Sequence, residues 1–546
     1  MGNERTGNKQ TGKEHTYDLV VLGSGGAGCT AALAGAALGL STLMIEKADL
    51  LGGGTADSLG TIWIPNNSLA KAAGLADDHD TAMVYARYVG GGQEVPENLE
   101  AYVREGTRVL DRLLALGVKL RLALGLPDYF APHGPGSCKD GRRMVEPELI
   151  ARPELGAFAD RIRPSVHNVT GVAWSDSVKW GGFANRRNWP HDEVKARQDK
   201  GLLGCGEALI GHLVARMLAL GATIWTGRTT EHLIVENHAV TGVVLDDGTV
   251  VRATKGVVFG TGGYEGNPEL VRRFEAIPDW MNPFAPGNTG DAVTLAADAG
   301  AGISRVAVNN SLFVGAAVPG QEEAFFSVGL RGLPMPGAIA VNATGRRFCD
   351  ETQFQDVVMA LQQYDRAARR HANLPAFMIF DDRFRNRYPV VNAPPGTPAH
   401  PSIPRSDTLE GLAKLIGVDA SGLVATVKQF NADVAEGKDS VFGRGKSAFS
   451  RNNAGDSQLK LNPQLAPLEE PPYYALRLRM GGVCSAGLMT DPHARVLDVH
   501  GKPIPGLYAC GNTAAPTFHG VGYQGGASIG AGMVFGWLAA EDAKTR

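Results

Sequence analysis

Several common organising features are missing from this chain. Its six cysteines (Cys29, Cys138, Cys205, Cys349, Cys484 and Cys510) form no CxxC pair and no Cys/His group with zinc spacing. That excludes a zinc ribbon or a disulfide-stapled fold, leaves no metal site to expect, and points to reduced thiols and a cytoplasmic location. No apolar run reaches the ~18 residues a transmembrane helix needs. No basic tract occurs: 53 Lys and Arg stand against 56 Asp and Glu, for a net charge of −3. Nucleic acid is therefore not an expected partner. Repeats and low-complexity blocks are absent too. Residues 1–16 are polar and have no apolar core, so they read as a disordered leader and not as a signal peptide.

Glycine, by contrast, is plentiful, with 71 residues in 546. It clusters at 52–54, 262–263 and 525–526, as expected where backbone approaches a ligand closely. The length calls for two or three domains. Residues 17–47 read as strand, small-residue helix and strand, the βαβ unit of a dinucleotide site. Gly23, Gly25 and Gly28 form GxGxxG between the first strand and the helix. The first makes the turn, the second admits pyrophosphate, and the third lets the helix pack on the strand. Ser24, Gly26 and Ala27 complete the loop, whose helix N-terminus attracts phosphate. Glu46, followed by Lys47, ends the second strand about 20 residues on, where a carboxylate hydrogen-bonds a ribose 2′-OH. Residues 223–260 and 503–511 read as further strands of the same sheet, with a hairpin turn at Asp247-Gly248. Proline and mixed polar segments dominate from 304 to 472, and PLEEPPYYAL at 467–476 reads as the return crossing. The expected fold is α/β: a Rossmann-type FAD-binding domain (17–303 and 473–546) with an inserted α+β capping domain (304–472) for substrate.

Five segments carry a likeness that spans almost the whole chain. They are LGGGTADSLGTIWIPNN (51–67), GTGGYEGN (260–267), GNTGDAVTLAADAGA (287–301), VNATGRRFCDE (341–351) and GLYACGNTAAPTFHGVGYQGGASIGAGMVFGWLAA (506–540). In these, and in their order, the chain resembles the FAD-dependent 3-ketosteroid dehydrogenases of the fumarate reductase/succinate dehydrogenase flavoprotein superfamily. The resemblance implies FAD, with Gly53, Gly54, Thr55, Ser58 and Gly60 beside the ribityl chain and ring. It adds Thr261, Gly262, Gly263, Asp291, Gly511 and Asn512 to the cofactor site. Gly526, Ala527, Ser528 and Ile529 open the C-terminal helix, whose N-terminus would face the flavin pyrimidine edge, where a reduced flavin carries negative charge. No histidine lies in the 51–60 loop, where respiratory fumarate reductases attach flavin, so the FAD is expected to be non-covalent. No second GxGxxG exists, so electrons are expected to leave to a separate acceptor such as a quinone, a dye-like acceptor or oxygen, and not to a nicotinamide.

The substrate side follows from the same resemblance. Fumarate reductases carry a carboxylate-clamping arginine where Tyr523 stands; ketosteroid dehydrogenases carry a tyrosine whose phenol, with a glycine amide, holds the ketone oxygen. Here that amide is Gly526, or Gly525 if the register shifts by one. Such donors form an oxyanion hole for an enolate. Tyr129, in LPDYFAPHGPGSCKDGRRMVEPE, matches a second active-site tyrosine. The family's proton-abstracting tyrosine falls at Gln355, or at Phe354 if the register slips, and glutamine is no base. Tyr129 and His519 are the remaining candidates. Trp174, Trp180 and Trp189 are expected to pack. The expected function is an FAD-dependent dehydrogenase that introduces a C=C bond next to the carbonyl of a cyclic ketone, either a ketosteroid or a smaller alicyclic ketone. A reductase of an activated alkene and a flavin-binding electron-transfer protein are the alternatives.

Overall fold

The computed structural model describes residues 13–131, 134–309, 312–316, 318, 326–391, 393–516 and 520–546. The apolar run Leu19–Leu22 has no outward face to spare, and it becomes the centre of a sheet covered on both sides. Strand Glu14–Leu22 pairs in parallel with Thr42–Ile45 on one side and Val250–Phe259 on the other. Outside these lie Thr223–Trp225 and Pro503–Ala509, also parallel. The hairpin strand Ala239–Leu245 runs antiparallel to Val250–Phe259 and turns at 246–249. The helix Gly26–Ala37 packs so tightly on this sheet that a Cβ on Gly28 would come within 2.0 Å of the Gly23 carbonyl oxygen.

The register aligns four strand ends. Leu22 lies opposite both Ile45 and Phe259, and Phe259 lies opposite Ala509. Each end runs directly into a segment of the cofactor reading: Gly23, Glu46, Gly260 and Cys510 come next in the chain. The first strand starts earlier than expected. Glu14, His15 and Thr16 pair with Val250, Val251 and Arg252, so the leader does not extend to residue 16.

Between 45 and 223 the chain leaves this sheet. It forms helices that include Pro96–Ala115 and Cys205–Ala219, and a small sheet of Ile62–Trp63, Met144–Pro147 and Leu120–Leu122. A second, antiparallel sheet lies in the insert, ordered Phe326–Ser327, Leu312–Ala316, Tyr473–Gly482, Ala376–Phe380, Ala338–Asn342. Its middle strand, Tyr473–Gly482, corrects the expected boundary at 472: the chain returns only after Gly482. The way in and the way out run side by side, with Ile303–Arg305 antiparallel to Ala486–Leu488. All six cysteines are buried and unpaired. Among the described residues no helix is long and apolar enough to cross a membrane.

The VNATGRRFCDE segment is structural. Arg347 pairs with Glu351 at 2.7 Å and Asp439 at 2.9 Å, and Arg444 reaches Glu351 at 3.3 Å. Arg444 also donates to the carbonyls of Ala338 and Met335, at 2.6 and 2.7 Å, locking the insert together. All four side chains are buried. Burial pushes the Asp439 carboxyl up, but the two hydrogen bonds from Arg347 outweigh it and hold the group at about 2. Its folded value is depressed, so its contribution to stability is complete above the unfolded value near 4 and is lost as pH falls towards 2. Glu351→Ala leaves the buried Arg444 guanidinium without a carboxylate and Arg347 with Asp439 alone, and is expected to cost ~3–5 kcal/mol. Urea denaturation at pH 7 checks this; a loss under 1 kcal/mol would show that the network does not hold the insert.

Candidate active site

One cleft runs along the aligned strand ends. Of the cofactor residues read from the sequence, all but Gly28, Gly263 and Ala527 line it. Gly28 lies behind, packing helix on strand. Ala527 turns its amide to the Gln524 carbonyl at 3.0 Å, and the Gly263 carbonyl accepts from the amide of Gly290 at 3.1 Å. Glu46 is buried at the cleft floor. Its Oε2 accepts from the Ser24 amide at 3.0 Å and from Ser24 Oγ at 2.6 Å, while Oε1 accepts from the Ala48 amide at 2.8 Å. Lys47 and Asp291 meet in a 2.7 Å ion pair, and Thr289 Oγ1 takes a second Lys47 proton. Thr55 Oγ1 accepts from the Gly26 amide at 3.0 Å, joining the 51–60 loop to the fingerprint helix.

The cleft is built for an anionic group of FAD's length. Two helices, Gly26–Ala37 and Ala527–Thr545, open on it, and neither has a side-chain cap. Uncapped helix N-termini present unpaired amides and partial positive charge, which favour anions. Arg163 also lines the cleft, with its Nε buried and without an acceptor among the described residues. The first helix suits pyrophosphate, and the second suits the electron-rich edge of a flavin.

Beyond the cofactor segments the cleft widens into an aromatic box. Tyr129 contacts Phe449 at 4.2 Å between ring centres, Phe354 at 5.6 Å and Tyr523 at 6.0 Å. Phe313 closes it, stacked on Phe354 at 5.8 Å and edge-on to Tyr523 at 5.6 Å. Tyr129 is buried. Its neighbour Asp128 is pinned by Trp63 Nε1 at 2.8 Å and by buried Arg143 at 3.1 Å. Gln524 Oε1 accepts from the Tyr129 amide at 3.0 Å and from the Tyr85 hydroxyl. A Cβ on Gly525 would meet the Tyr129 ring at 2.4 Å, so that glycine is required for the approach. The hydroxyls of Tyr129 and Tyr523 have no hydrogen-bond partner among the described residues, and neither does the amide of Gly526. Burial pushes the Tyr523 phenol up to about 12 and the Tyr129 phenol well above its ordinary value, with Tyr523 adding to the latter.

The structure corrects the reading at the family's base position. Gln355 does not line the cleft; it is buried, with its side-chain amide unpartnered. Phe354 faces the box instead. His519 lies outside the described residues. Trp180 and Trp189 pack on each other at 5.5 Å, and Trp174 is packed in the core too, edge-on to Phe449, at the wall of the cleft. Phe313 and Phe449 were not singled out from the sequence, and isolated phenylalanines in apolar strands and helices give no signal by which to do so. Arg331 and His167, which also line the cleft, were missed for the same lack of pattern.

A Rossmann sheet with a two-helix anion cleft and an inserted cap defines an FAD-dependent flavoprotein oxidoreductase. The chain belongs to the FAD binding domain family, whose model matches residues 18–529. It is 37% identical to a 4-oxocyclohexanecarboxylate 2-dehydrogenase of Sinomonas cyclohexanicum, across 96% of this chain and 92% of that one. It is 33% identical to a 3-oxosteroid 1-dehydrogenase of Mycobacterium tuberculosis, across 96% and 97%. Among solved structures it is similar to 3-ketosteroid delta1-dehydrogenase from Sterolibacterium denitrificans, with a TM-score of 0.88 and 32% identity, covering 97% of this chain and all of the other.

Glu46→Ala is expected to weaken FAD binding by ~1–3 kcal/mol, the cost of one lost hydrogen-bonded carboxylate. Titrating apoprotein with FAD and following fluorescence measures it. Unchanged affinity would place the ribose contact elsewhere.

Proposed function

We propose that Tyr523 and the Gly526 amide grip the ketone oxygen of a cyclic substrate while Tyr129 removes the α-proton. The overall activity is that of the family. The chain is an FAD-dependent oxidoreductase acting on CH–CH groups, and it desaturates cyclic ketones. Relatives of this length act on a steroid ring and on a single six-membered ring, and both substrates present a ring ketone.

The observation that carries the reading is a pair of phenols, Tyr129 buried and Tyr523 partly buried, with unused hydroxyls among aromatic walls. A phenol held protonated up to about pH 12 is a reliable donor at neutral pH. A donor aimed where charge develops in the transition state stabilises the enolate more than the neutral ketone. The phenylalanine walls keep water out, which strengthens that hydrogen bond. FAD, held by the fingerprint loop, Glu46, the 51–60 loop and the Gly526–Ile529 helix start, would supply the oxidising power as the acceptor of a hydride from the β-carbon. The α-proton goes to the protein, and the C=C bond forms between the two carbons. With Phe354 where the family has its tyrosine, Tyr129 is the group of the box left to accept that proton. A ketone accepting from Tyr523 keeps that phenol protonated, so Tyr129 is the one that ionises. A separate acceptor, a quinone, dye-like acceptor or oxygen, then takes the electrons.

Two experiments follow. Tyr523→Phe keeps the ring and removes the donor, so turnover is expected to fall ~100- to 1000-fold, with FAD content intact. A variant within threefold of the parent would reduce Tyr523 to packing. Tyr129, raised by burial, is ionised only at high pH. The rate of flavin bleaching by ketone is therefore expected to climb roughly tenfold per pH unit through the neutral range, without a plateau below pH 9. A plateau near pH 7 would assign the base to another group.

A further inference from the structure

The cleft continues past the aromatic box to a cation that no carboxylate answers. Arg331 ends the helix Val328–Arg331 and lines the cleft with Ser327 and Leu330. Its Nη2 donates to Asn168 Oδ1 at 2.6 Å, and its guanidinium carbon stands 4.5 Å from the centre of the Phe183 ring. Both partners are neutral. Among the described residues no Asp or Glu lies within ion-pair distance of it. The carboxylate that most influences it, Asp57, is occupied by Ser165 Oγ at 3.0 Å and the Val166 amide at 2.8 Å. Arg186 adds like charge nearby, while burial holds the His167 imidazole below its usual range, so it favours the neutral form and adds none.

Arg331 is partly buried, and the arginines buried more deeply behave differently. Arg143 has Asp77 and Asp128, Arg347 has Glu351 and Asp439, and Arg444 has Glu351. A guanidinium withdrawn from water without an anion is expensive, and proteins rarely leave one so. Burial has pushed that of Arg331 down to about 10, where it is still charged at neutral pH. This arginine opens on the cleft, so what completes it comes from the cleft.

Its place relative to the ketone grip is fixed by a run of contacts. Tyr129 packs on Phe449, and Phe449 meets Trp174 edge-on at 6.2 Å. Trp174 Nε1 donates to Asn453 Oδ1 at 3.2 Å, and Asn453 Nδ2 donates to the Leu330 carbonyl at 3.3 Å, one residue before Arg331. The phenol pair and the guanidinium are thus joined by one run of packed side chains beside the same cleft. A planar fork with one neutral partner already in place matches a single carboxylate, which accepts two parallel hydrogen bonds.

We propose that Arg331 anchors a carboxylate on the substrate, so that the chain takes cyclic oxo-acids, gripped by the acid at Arg331 and by the ketone at Tyr523. This rests on the reading of Tyr523 as the ketone grip. It also answers the objection that the carboxylate-clamping arginine of the fumarate reductases is missing at 523, because the cation has a different origin in the chain.

The test compares 4-oxocyclohexanecarboxylate with its methyl ester, using holoenzyme and an artificial dye acceptor, for the parent, Arg331→Gln and Arg331→Lys. A second measurement follows the flavin spectrum on adding cyclohexanecarboxylate, which cannot be held as a ketone. In Arg331→Gln the ratio of kcat/KM for acid over ester is expected to fall ~10- to 100-fold, mostly through KM, with Arg331→Lys in between. The parent's flavin spectrum should shift with cyclohexanecarboxylate, and that of Arg331→Gln should not. An unchanged ratio, with acid and ester slowed alike, would make Arg331 a structural residue and overturn the proposal. If neither ketone is oxidised while the acid still shifts the parent's spectrum alone, the ketone reading fails and the anchor stands. If both ketones are oxidised and the acid shifts nothing, the anchor fails and the ketone reading stands.

Discussion

The parallel pairing of Glu14–Leu22 with Thr42–Ile45 and Val250–Phe259, continued to Pro503–Ala509, is the constraint on which the site depends. It brings four strand ends, drawn from both halves of the chain, into one register. Ligands of open α/β sheets bind beyond the carboxyl ends of the strands. Here that edge gathers the fingerprint loop, Glu46, the Gly260–Gly263 turn and Gly511–Asn512 without any of them touching in sequence. A slip in any one pairing would move a cofactor segment by the 3.3 Å rise of a residue, more than a hydrogen bond tolerates.

That edge was largely legible in the sequence because its signals are local. GxGxxG after a strand and an acidic residue at the end of the next strand can be read within 30 residues. The substrate box was legible only where a phenol stood inside a recognisable segment, as with Tyr523 and Tyr129. Its walls, Phe313 and Phe449, come from a strand and a helix 136 residues apart, and only tertiary packing brings them together. The choice between Phe354 and Gln355 turned on where a helix begins. Gln353 is its cap and Phe354 its first residue, and one step around a helix changes the facing by about 100°. The boundary at 472 misled because two prolines and two glutamates look like a linker. They precede the central strand of the insert's sheet, where proline is tolerated ahead of the first ladder bond. The polar Glu14–Thr16 misled in the opposite sense, since a strand end at the surface does not need apolar residues.

The insert and the FAD domain meet in the box, and each supplies part of the chemistry. Tyr129, Tyr523 and the Gly526 amide come from the cofactor side, while Phe313, Phe354, Phe449 and Arg331 come from the cap. On the proposed reading the phenols on the flavin side carry the chemistry, and the residues of the cap choose the substrate. Neither Phe354 nor Gln355 can titrate, so on that reading proton transfer also falls to the cofactor side.

The six thiols take on a different meaning once the product is considered. An α,β-unsaturated ketone is an electrophile that adds to thiolates, and it is formed here at every turnover. Cysteine reacts as the thiolate. All six cysteines are buried, and burial lifts the pKa of every one above the ordinary thiol value. The protein therefore offers its own product almost no thiolate to alkylate. Its thiols are kept in the form that adds slowly to such a molecule.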